Sequence, residues 1–422
     1  MLDIRLIREN PELVKTRLAT RSPALVPVVD SILEWDGRRR KSETALQEAN
    51  GTRKRLSKEI GGLRAKGADS SALESEVKGI GGEIEHLEAQ TREADDQQRE
   101  LLLNLPNLPH ENAPIGEDAT ANPVVRTWGE KPDIPHPLDH IQLGEKLGLF
   151  DFPRATRMSG SGFVVFTGPG ARLERALINF CLDLHTEKHG YTEVAPPFVV
   201  KRDSLVGTGQ LPKFADQLYT ISPEDLFLIP TAEVPVTNLH REELLTLADL
   251  PKKYVACTPC FRSEAGAAGI GTRGLIRVHQ FDKIELVKIA TPEESFAELE
   301  TLTSHAEAVL QKLGLHYRVI ELCTGDLGFG SMKTYDIEVW SPGQNTWLEV
   351  SSCSNFGDYQ ARRMSLKYKD AEGKNRFCHT LNGSGTAMPR LFVALIETWQ
   401  QADGSVLIPE ALRPWFGKDR LS

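Results

Sequence analysis

The sequence lacks a long hydrophobic run, a cysteine framework and an excess of positive charge, and each absence excludes a class of protein. The first residues, MLDIRLIRENPELVKTRL, alternate charged and apolar side chains, which is unlike a signal peptide or a membrane span and predicts a cytoplasmic protein. The 6 cysteines are scattered and give no disulfide framework. The net charge of −9 argues against a generally basic surface, so any RNA partner must be bound through a local patch.

Two short patterns could belong to metal sites. Cys257-x-x-Cys260 is half of a zinc pattern, and His185 and His189 have the i, i+4 spacing of one helical face. Neither pair has further ligands near it in the sequence. We therefore interpret all four residues as structural.

The sequence contains enough apolar residues for a large core. With 422 residues and 40% hydrophobic content, we expect two domains. Residues 104–137 are rich in proline and polar side chains, which is typical of a linker. We predict an N-terminal domain of residues 1–110 and a second domain of residues 111–422.

Two segments before this linker have the apolar spacing of a coiled coil. The second segment alternates steps of four and three at Leu73, Val77, Ile80, Ile84, Leu87, Thr91, Ala94, Gln98 and Leu101. The first segment has this spacing at Leu46, Ala49, Arg53, Leu56, Ile60 and Leu63, and residues 66–69 have the composition of a turn. The spacing predicts an antiparallel helical hairpin, interrupted where the pairs Gly61-Gly62 and Gly81-Gly82 weaken the helices.

Charge is distributed unequally between these two helices. Residues 53–66 contain 6 basic side chains and 1 acidic one, whereas residues 69–100 contain 10 acidic and 3 basic ones. The simplest interpretation is that the helices form ion pairs with each other along a solvated coil. A basic concentration near the tip of a projecting arm also suits contacts to nucleic-acid phosphates.

The segment from Cys257 to Glu285, CTPCFRSEAGAAGIGTRGLIRVHQFDKIE, has the pattern of a hairpin with one polar face. Alternation places one set of residues on the first side of the second strand, Ile276, Val278 and Ile284, and another set on the opposite side, Arg277, His279, Phe281, Lys283 and Glu285. Arg262 and Glu264 also share a face. A solvated antiparallel face is the simple interpretation, but one phenylalanine among charges of both signs suits a site that stacks a flat base and neutralises phosphate.

Residues 269–274 (GIGTRG) match the glycine spacing of a dinucleotide-binding fingerprint. That fingerprint needs a strand before it and a helix after it, so that the helix N-terminus meets the pyrophosphate. The residues that follow have the pattern of a strand. We therefore reject a Rossmann site.

Four further stretches have recognisable patterns. Residues 170–190 predict an amphipathic helix with Leu173, Leu177, Cys181 and Leu184 on one side, followed by a strand in YTEVAPPFVV. An apolar run stops at Thr231-Ala232-Glu233, which alone would be interpreted as a helix start. Residues 335–340 and 347–356 predict two strands, and residues 382–390 (NGSGTAMPR) lead into a helical segment.

The sequence FRSE followed by TRGLIRVHQFDKIE resembles the second signature motif of class II aminoacyl-tRNA synthetases, and specifically of seryl-tRNA synthetases. The helix and strand from residue 170 are similar to the first motif, whose proline, here Pro197, lies at the dimer interface, and residues 382–399 are similar to the third. The resemblance covers essentially the whole chain. It implies an α+β fold, with a coiled-coil arm that binds tRNA(Ser), followed by an antiparallel β-sheet domain flanked by helices.

The resemblance implies the activity of a serine--tRNA ligase that works as a homodimer. Its substrates would be ATP, L-serine and tRNA(Ser), with tRNA(Sec) as a further candidate acceptor, and it would need Mg²⁺ but neither DNA nor a membrane. Ile270 and Gly271 stand where the family commonly has a charged pair, and Pro389 stands where glycine is frequent.

The resemblance also implies roles for individual residues, with Arg262 and Arg390 as the catalytic ones. The implied ATP-binding residues are Arg262, Ser263, Glu264, Arg277, Val278, Phe281, Glu349, Val350, Ser351, Ser352 and Arg390. The implied serine-binding residues are Thr231, Ala232, Glu233, Glu285, Asn382 and Ser384. The implied Mg²⁺ ligands are Glu349 and Ser352, a carboxylate and a hydroxyl of the hard oxygen type that this cation prefers.

Two other functions stay open. A class II relative could adenylate an amino acid for a carrier other than tRNA, although the well-formed arm argues against it. A non-catalytic paralogue could use the coil to bind a protein, although all the expected ATP ligands are present. Dependence of turnover on tRNA distinguishes the first of these from a ligase.

Overall fold

The computed structural model describes residues 1–265 and 273–422, and the loop residues Ile270 and Gly271 lie outside the described residues. The chain divides into two compact units, Leu2–Pro106 and Asn107–Ser422, with Met1 grouped with the second. In the described ranges, no helix combines the length and the apolar character needed to cross a membrane.

The first unit is helical. Its helices are α1 (Ile4–Glu9), α2 (Pro11–Ala19), α3 (Val26–Ala65) and α4 (Ser71–Asn104). The turn that joins the two long helices includes Gly67, whose φ of 69° lies in the left-handed region that glycine adopts without strain. Ser42 contacts Thr91, and Arg64 contacts Glu74, so α3 and α4 run antiparallel. The predicted helical hairpin is confirmed.

The seam between α3 and α4 follows the predicted spacing with two differences. Every predicted position of α4 from Leu73 to Gln98 is buried or half-buried, but near the end Leu102 is the buried leucine and Leu101 is only half-buried. In α3 the prediction for Arg53 is wrong: Arg53 is exposed and Thr52 is half-buried. A straight helix drifts relative to a strict seven-residue repeat, so the buried position at the end of α4 moves from Leu101 to Leu102. In α3 the guanidinium group of Arg53 stays in water, and Thr52 takes the half-buried position instead.

The glycine pairs do not interrupt the helices. α3 continues through Gly61-Gly62, and α4 continues through Gly81-Gly82. The intrinsic penalty of about 1 kcal/mol per glycine relative to alanine is outweighed here by packing along the seam. Helix propensity alone was therefore a poor guide at these four positions.

The second unit is built on an 8-stranded sheet. In chain order its strands are β1 (Val124–Trp128), β2 (Thr192–Glu193), β3 (Lys252–Phe261), β4 (Gln280–Ala290), β5 (Tyr317–Glu321), β6 (Lys333–Ser341), β7 (Thr346–Asn355) and β8 (His379–Ala387). Across the sheet the order is β1-β5-β6-β7-β8-β4-β3-β2. All neighbours are antiparallel except β2 and β3, so the predicted fold class is confirmed.

Helices and short strands complete this unit. The helices are α5 (His140–Leu147), α6 (Phe152–Ser159), α7 (Gly168–His189), α8 (Arg202–Thr208), α9 (Glu233–Thr237), α10 (Ser295–Lys312), α11 (Tyr359–Met364), α12 (Met388–Thr398) and α13 (Arg413–Phe416). The short strands are Val199–Lys201, Thr220–Ile221, Leu226–Leu228, Leu244–Thr246, Lys367–Lys369, Asn375–Phe377, Val406–Leu407 and Arg420–Leu421. Buried side chains of α7, α10 and α12 pack with those of the sheet in one core.

Most of the proline-rich stretch is part of the second unit, so the prediction of a linker over residues 104–137 is wrong beyond Pro106. Asn107 donates from Nδ2 to the carbonyl oxygens of Gly330 (2.9 Å) and Phe356 (2.8 Å), and β1 pairs with β5. Prolines lack a backbone hydrogen-bond donor. A proline-rich segment can still be held on a folded domain by hydrogen bonds from its side chains and from one short strand, as Asn107 and β1 do here.

The sequence YTEVAPPFVV is not one strand. Thr192–Glu193 joins the large sheet, whereas Val199–Lys201 pairs with Leu226–Leu228 in a separate sheet. Two consecutive prolines between them cannot donate to a strand ladder, which explains the division. Pro196 is buried, and Pro197 is exposed.

Candidate active site

A cavity of about 520 Å³ opens on the face of three neighbouring strands, β4, β7 and β8. Strand side chains in its wall include Phe281 and Lys283 from β4, Glu349 and Ser352 from β7, and Asn382 and Ser384 from β8. The loop residues Thr231 and Arg262 and the first turn of α12, with Arg390, complete it. Residues from widely separated motifs therefore meet in one place.

The segment before β4 differs from its predicted strand. β4 begins at Gln280, and Ile276 and Val278 line the same cavity as Arg277, so the expectation that they lie on opposite sides is wrong. The backbone leaves the ladder because other partners take its donors: Leu275 N donates to His140 Nε2 (3.2 Å), and His279 N donates to the carbonyl of Gly162 (2.8 Å). From Phe281 onward the predicted alternation holds: Phe281 and Lys283 face the cavity, and Ile284 between Lys283 and Glu285 packs in the core.

One end of the cavity combines an aromatic ring with a close ion pair. Arg277 donates from Nη1 to Glu264 Oε2 (2.9 Å), and Glu264 has a φ of 50°, in the left-handed region. The Arg262 guanidinium lies 5.2 Å from the centroid of the Phe281 ring, and its Nε donates to the carbonyl of Pro230 (3.3 Å). The planar fork of Arg262 is thereby oriented before any ligand binds.

A second arginine lies at the start of α12. Arg390 donates from Nη1 to the carbonyl of Glu349 (2.7 Å), and its Nε donates to the carbonyl of Ile276 (3.3 Å). Pro389 occupies the first turn of α12, where a helix needs no backbone donor. The proline is therefore compatible with the position of Arg390.

The carboxylate and hydroxyl expected to bind Mg²⁺ lie beside a further buried acid. Asp336 on β6 is paired in register with Ser352, and its Oδ1 is buried without a hydrogen-bond partner among the residues that the structure describes. Burial, followed by the nearby charge of Glu349, raises the pKa of Asp336 well above its ordinary value. A hard cation that retains several waters would fit this oxygen donor set.

The deepest part of the cavity is a hydrogen-bonded cluster around Glu285. Thr231 donates from Oγ1 to Glu285 Oε2 (3.0 Å), and Asn382 donates from Nδ2 to Glu285 Oε1 (3.2 Å). Lys283 Nζ lies 2.5 Å from Glu285 Oε2 and 2.9 Å from Thr231 Oγ1. Glu285 is almost fully buried behind Thr231, Lys283 and Asn382, which line the cavity.

Glu233 at the start of α9 is a second buried carboxylate facing the cavity. Burial, followed by the charge of Glu285, raises the pKa of Glu233 to about 7. Gln360 on α11 donates from Nε2 to Glu233 Oε1 (2.7 Å). The chemistry of this part of the cavity, two carboxylates with one ammonium group, suits a small ligand that carries its own ammonium group.

Not every residue of the predicted site faces the cavity. Ala232 packs in an apolar cluster, Ser263 donates from Oγ to the carbonyl of Asp216 (2.7 Å), and Ser351 donates from Oγ to the carbonyl of Ser384 (2.5 Å). The other predicted residues line the cavity, except Glu285, which lies directly behind its wall.

Sequence reasoning missed several residues at this site. Lys283 was placed on the correct face but given no role, while Gln210 and Phe214 also line the cavity and Gln360 lies behind it. The signal at Lys283 was its position between Phe281 and Glu285 in the alternation, which places its ammonium group on the same face of the strand as these two side chains. For Gln210, Phe214 and Gln360 we find no signal in the sequence, because their positions depend on tertiary packing.

The cysteine and histidine pairs lie outside the cavity. Cys257 and Cys260 are both in β3, and His305 joins the histidine pair by stacking on His189 at a centroid distance of 4.1 Å. Burial lowers the pKa of His185 to about 3. In the parts of the chain that the structure describes, no three His, Cys, Asp or Glu side chains are arranged to hold a metal.

Comparison with known proteins agrees with both units. Residues 1–109 match the "Seryl-tRNA synthetase N-terminal domain", and residues 219–399 match the "tRNA synthetase class II core domain (G, H, P, S and T)". A serine--tRNA ligase from Akkermansia muciniphila is 61% identical over 99% of this chain and 98% of its own length. The chain belongs to the seryl-tRNA synthetase family. The predicted family and the predicted class of enzyme, an aminoacyl-tRNA ligase, are confirmed.

Two solved members of the seryl-tRNA synthetase family are similar over the whole chain. The seryl-tRNA synthetase from Pyrococcus horikoshii, complexed with ATP, has a TM-score of 0.94 at 39% identity and covers 100% of this chain and 99% of its own. The cytoplasmic serine-tRNA ligase from Naegleria fowleri, in complex with AMP, has a TM-score of 0.89 at 30% identity, with the same coverage.

Proposed function

We propose that this seryl-tRNA synthetase family member activates L-serine with ATP to seryl-adenylate and transfers the seryl group to the 3′ end of tRNA(Ser). The observation that carries the proposal is the cavity in which Arg262, Phe281 and Arg390 lie within reach of the Glu233 and Glu285 cluster. A nucleotide and a small amino acid can therefore be held side by side. We propose residues 1–110 as the tRNA-binding domain and residues 111–422 as the catalytic domain.

The first step joins the serine carboxylate to the ATP α-phosphate, and pyrophosphate leaves. This in-line displacement needs positioning and charge neutralisation and requires no general base. We assign Arg262 to the α-phosphate and the serine carboxylate, and Arg277 and Arg390 to the other phosphates. Phe281 would stack on adenine, while Glu264 and the Val278 backbone would contact its edge.

We assign Mg²⁺ binding to Glu349 and Ser352, whose oxygen donors fit that cation. When bound, the metal would supply charge neutralisation on the phosphates. Asp336 next to Ser352 adds a further carboxyl oxygen at this place, and Arg390 lies 3.5 Å from the Glu349 carboxylate. These residues hold the triphosphate end of the nucleotide against β7.

We assign the amino acid to the deep end of the cavity. Glu233 would accept from the ammonium group of serine, and Glu285 with Thr231 and Asn382 would bind its hydroxyl, with Ser384 nearby. Alanine would leave buried polar groups without partners, so it should be rejected more strongly than its small difference in size suggests. Threonine must be excluded by the limited space.

The helical hairpin would bind the long arm of tRNA(Ser), with tRNA(Sec) as a further candidate. Lys54, Arg55 and Lys58 are exposed, and among the described residues none of the three forms an ion pair, whereas Arg64 of the same cluster lies 2.8 Å from Glu74. Exposed, unpaired cations support phosphate binding.

We also propose a homodimer through the first motif, since Phe198 next to Pro197 is an exposed apolar side chain.

Replacing Glu285 with glutamine should reduce serine binding selectively. The substitution removes one charge from a buried hydrogen-bonded cluster, and loss of a charge-assisted hydrogen bond of about 1.5–3 kcal/mol corresponds to roughly 10- to 100-fold. We expect the KM for serine to rise by that factor in serine-dependent ATP–pyrophosphate exchange, while the KM for ATP changes less than about twofold.

A matched variant separates this effect from instability. Glu321 forms a similarly close pair with Lys333 (2.6 Å) on the same sheet but outside the cavity, so Glu321→Gln should affect thermal unfolding without changing the KM for serine. A normal KM for serine in Glu285→Gln, with weakened ATP binding, would show that Glu285 does not contact the amino acid.

A further inference from the structure

Gln360 lies directly behind the proposed serine pocket. It is 1% exposed, on the short helix α11. Its Nε2 donates both to Glu233 Oε1 (2.7 Å) and to the carbonyl of Thr208 (3.1 Å). Its Oε1 accepts a hydrogen bond from Thr380 Oγ1 (2.7 Å) on β8. The amide therefore uses both ends on partners from three different elements.

The orientation of this amide is fixed by its partners. The carbonyl of Thr208 can only accept a hydrogen bond, so it must face the NH₂ end of the Gln360 side chain. The same NH₂ group then points its second hydrogen at Glu233. Thr380 donates to the other end, and a flipped amide would turn its oxygen toward two acceptors, the carbonyl of Thr208 and the carboxylate of Glu233.

Gln360 therefore holds one oxygen of Glu233 and leaves the other available. Glu233 lines the cavity, and within the described ranges no protein group donates a hydrogen bond to its Oε2. Burial and the charge of Glu285 raise the pKa of Glu233, whereas the donor from Gln360 and the positive charges of Lys283 and Arg262 lower it. A donor to the ionised form favours that form, and an ionised carboxylate is what a ligand ammonium group needs.

We propose that Gln360 is a positioning residue for amino-acid recognition, which holds Glu233 oriented toward the α-ammonium group of the bound serine. This inference rests on the proposed function. Gln360 would not touch the substrate, and its effect would pass through one hydrogen bond. Thr380 would act one step further away, by fixing the amide of Gln360.

The test replaces Gln360 with methionine, which has a similar length and no donor. In ATP–pyrophosphate exchange, we expect the KM for serine to rise about 10-fold, as for loss of one charge-assisted hydrogen bond, with the KM for ATP nearly unchanged. The acid limb of the kcat/KM profile for serine should also move to higher pH. Without the donor, the pKa of Glu233 rises further, and the carboxylate is protonated earlier as the pH falls.

Gln400→Met is the matched control. Gln400 is also a buried glutamine, and its amide bridges the backbone of Leu138 outside the cavity, with distances of 2.8 and 3.0 Å. The Gln400→Met variant measures the general effect of removing a buried amide from this unit. We therefore expect the acid limb of its kcat/KM profile for serine to stay where it is in the unaltered enzyme. Thr380→Val keeps Gln360 and should move the limb in the same direction by a smaller amount, which preserves the test should Gln360→Met fold poorly.

An unmoved acid limb in Gln360→Met, or in Thr380→Val where Gln360→Met does not fold, would overturn the inference. So would equal losses for serine and ATP like those of a purely structural defect. These outcomes differ from failure of the proposed function itself, in which the unaltered enzyme would show no serine-dependent exchange.

Discussion

Replacing Arg262 with lysine should lower kcat for serine-dependent ATP–pyrophosphate exchange by about 100-fold or more, as for loss of one preorganised transition-state donor. Lysine keeps the charge but cannot reproduce the planar fork, which meets two oxygens at once. In the structure the fork is already oriented by the carbonyl of Pro230 (3.3 Å) and by the Phe281 ring. Because charge develops at the α-phosphate in the transition state, we expect kcat to fall more than the KM for either substrate rises.

Arg202 provides a matched control for this substitution. Its guanidinium also stacks on an aromatic ring, 5.1 Å from Phe227, and also forks onto oxygen atoms, those of Asp225 at 2.8 and 2.6 Å. It lies outside the cavity, so Arg202→Lys should leave kcat within about twofold. A near-normal kcat in Arg262→Lys would contradict the role of Arg262.

Removing the distal arm should nearly abolish tRNA charging and leave serine activation largely intact. The deletion runs from Gln47 to Ala89 and is closed by a short Gly/Ser turn. Ser42 lies opposite Thr91, and Arg64 lies opposite Glu74, so residues 47 and 89 are at nearly the same level of the hairpin and the cut leaves a paired stem. We expect kcat/KM for tRNA to fall by on the order of 1,000-fold, since several phosphate contacts are lost together.

A charge reversal tests the same contacts without removing the helices. Lys54, Arg55 and Lys58 become glutamate in one variant, and a control variant makes the same change at Lys369, Lys374 and Lys418, which are exposed on the second unit. The first variant should raise the KM for tRNA while far-ultraviolet circular dichroism shows intact helices, and charging by the unaltered enzyme should weaken steeply with salt.

If these cations only formed ion pairs with the acidic helix α4, the arm would lose helicity and the KM for tRNA would not change. The absence of ion pairs at Lys54, Arg55 and Lys58 in the described chain argues against that alternative. An unchanged KM for tRNA would exclude the arm as the tRNA contact.

The sequence predicted features that depend on short-range periodicity. The heptad positions of α4 predicted its buried face, the glycine after residue 66 predicted the turn, and the patterns of β6 and β7 predicted two strands, which the structure pairs with each other. Such patterns arise because one face of each element must be buried. The long motif around Arg262 identified the family, since its length makes a chance match improbable.

Features that depend on partners distant in the chain were not predicted. The strand β1 was hidden in a proline-rich stretch, and its role as an edge strand depends on β5, which lies nearly two hundred residues later. Ile276 and Val278 alternate as in a strand, but contacts of the neighbouring backbone to His140 and Gly162 draw the segment out of the ladder. Gln360 is far in sequence from Glu233, and only tertiary packing brings the two together.

ATP–pyrophosphate exchange measured separately with each of the twenty amino acids tests the central claim most directly. The cavity has an aromatic and cationic end at Phe281 and Arg262, which we propose binds the nucleotide, and a polar end at Glu233 and Glu285, so we predict exchange with serine far above that with alanine, threonine or cysteine. Exchange driven best by another amino acid, or by none, would contradict it.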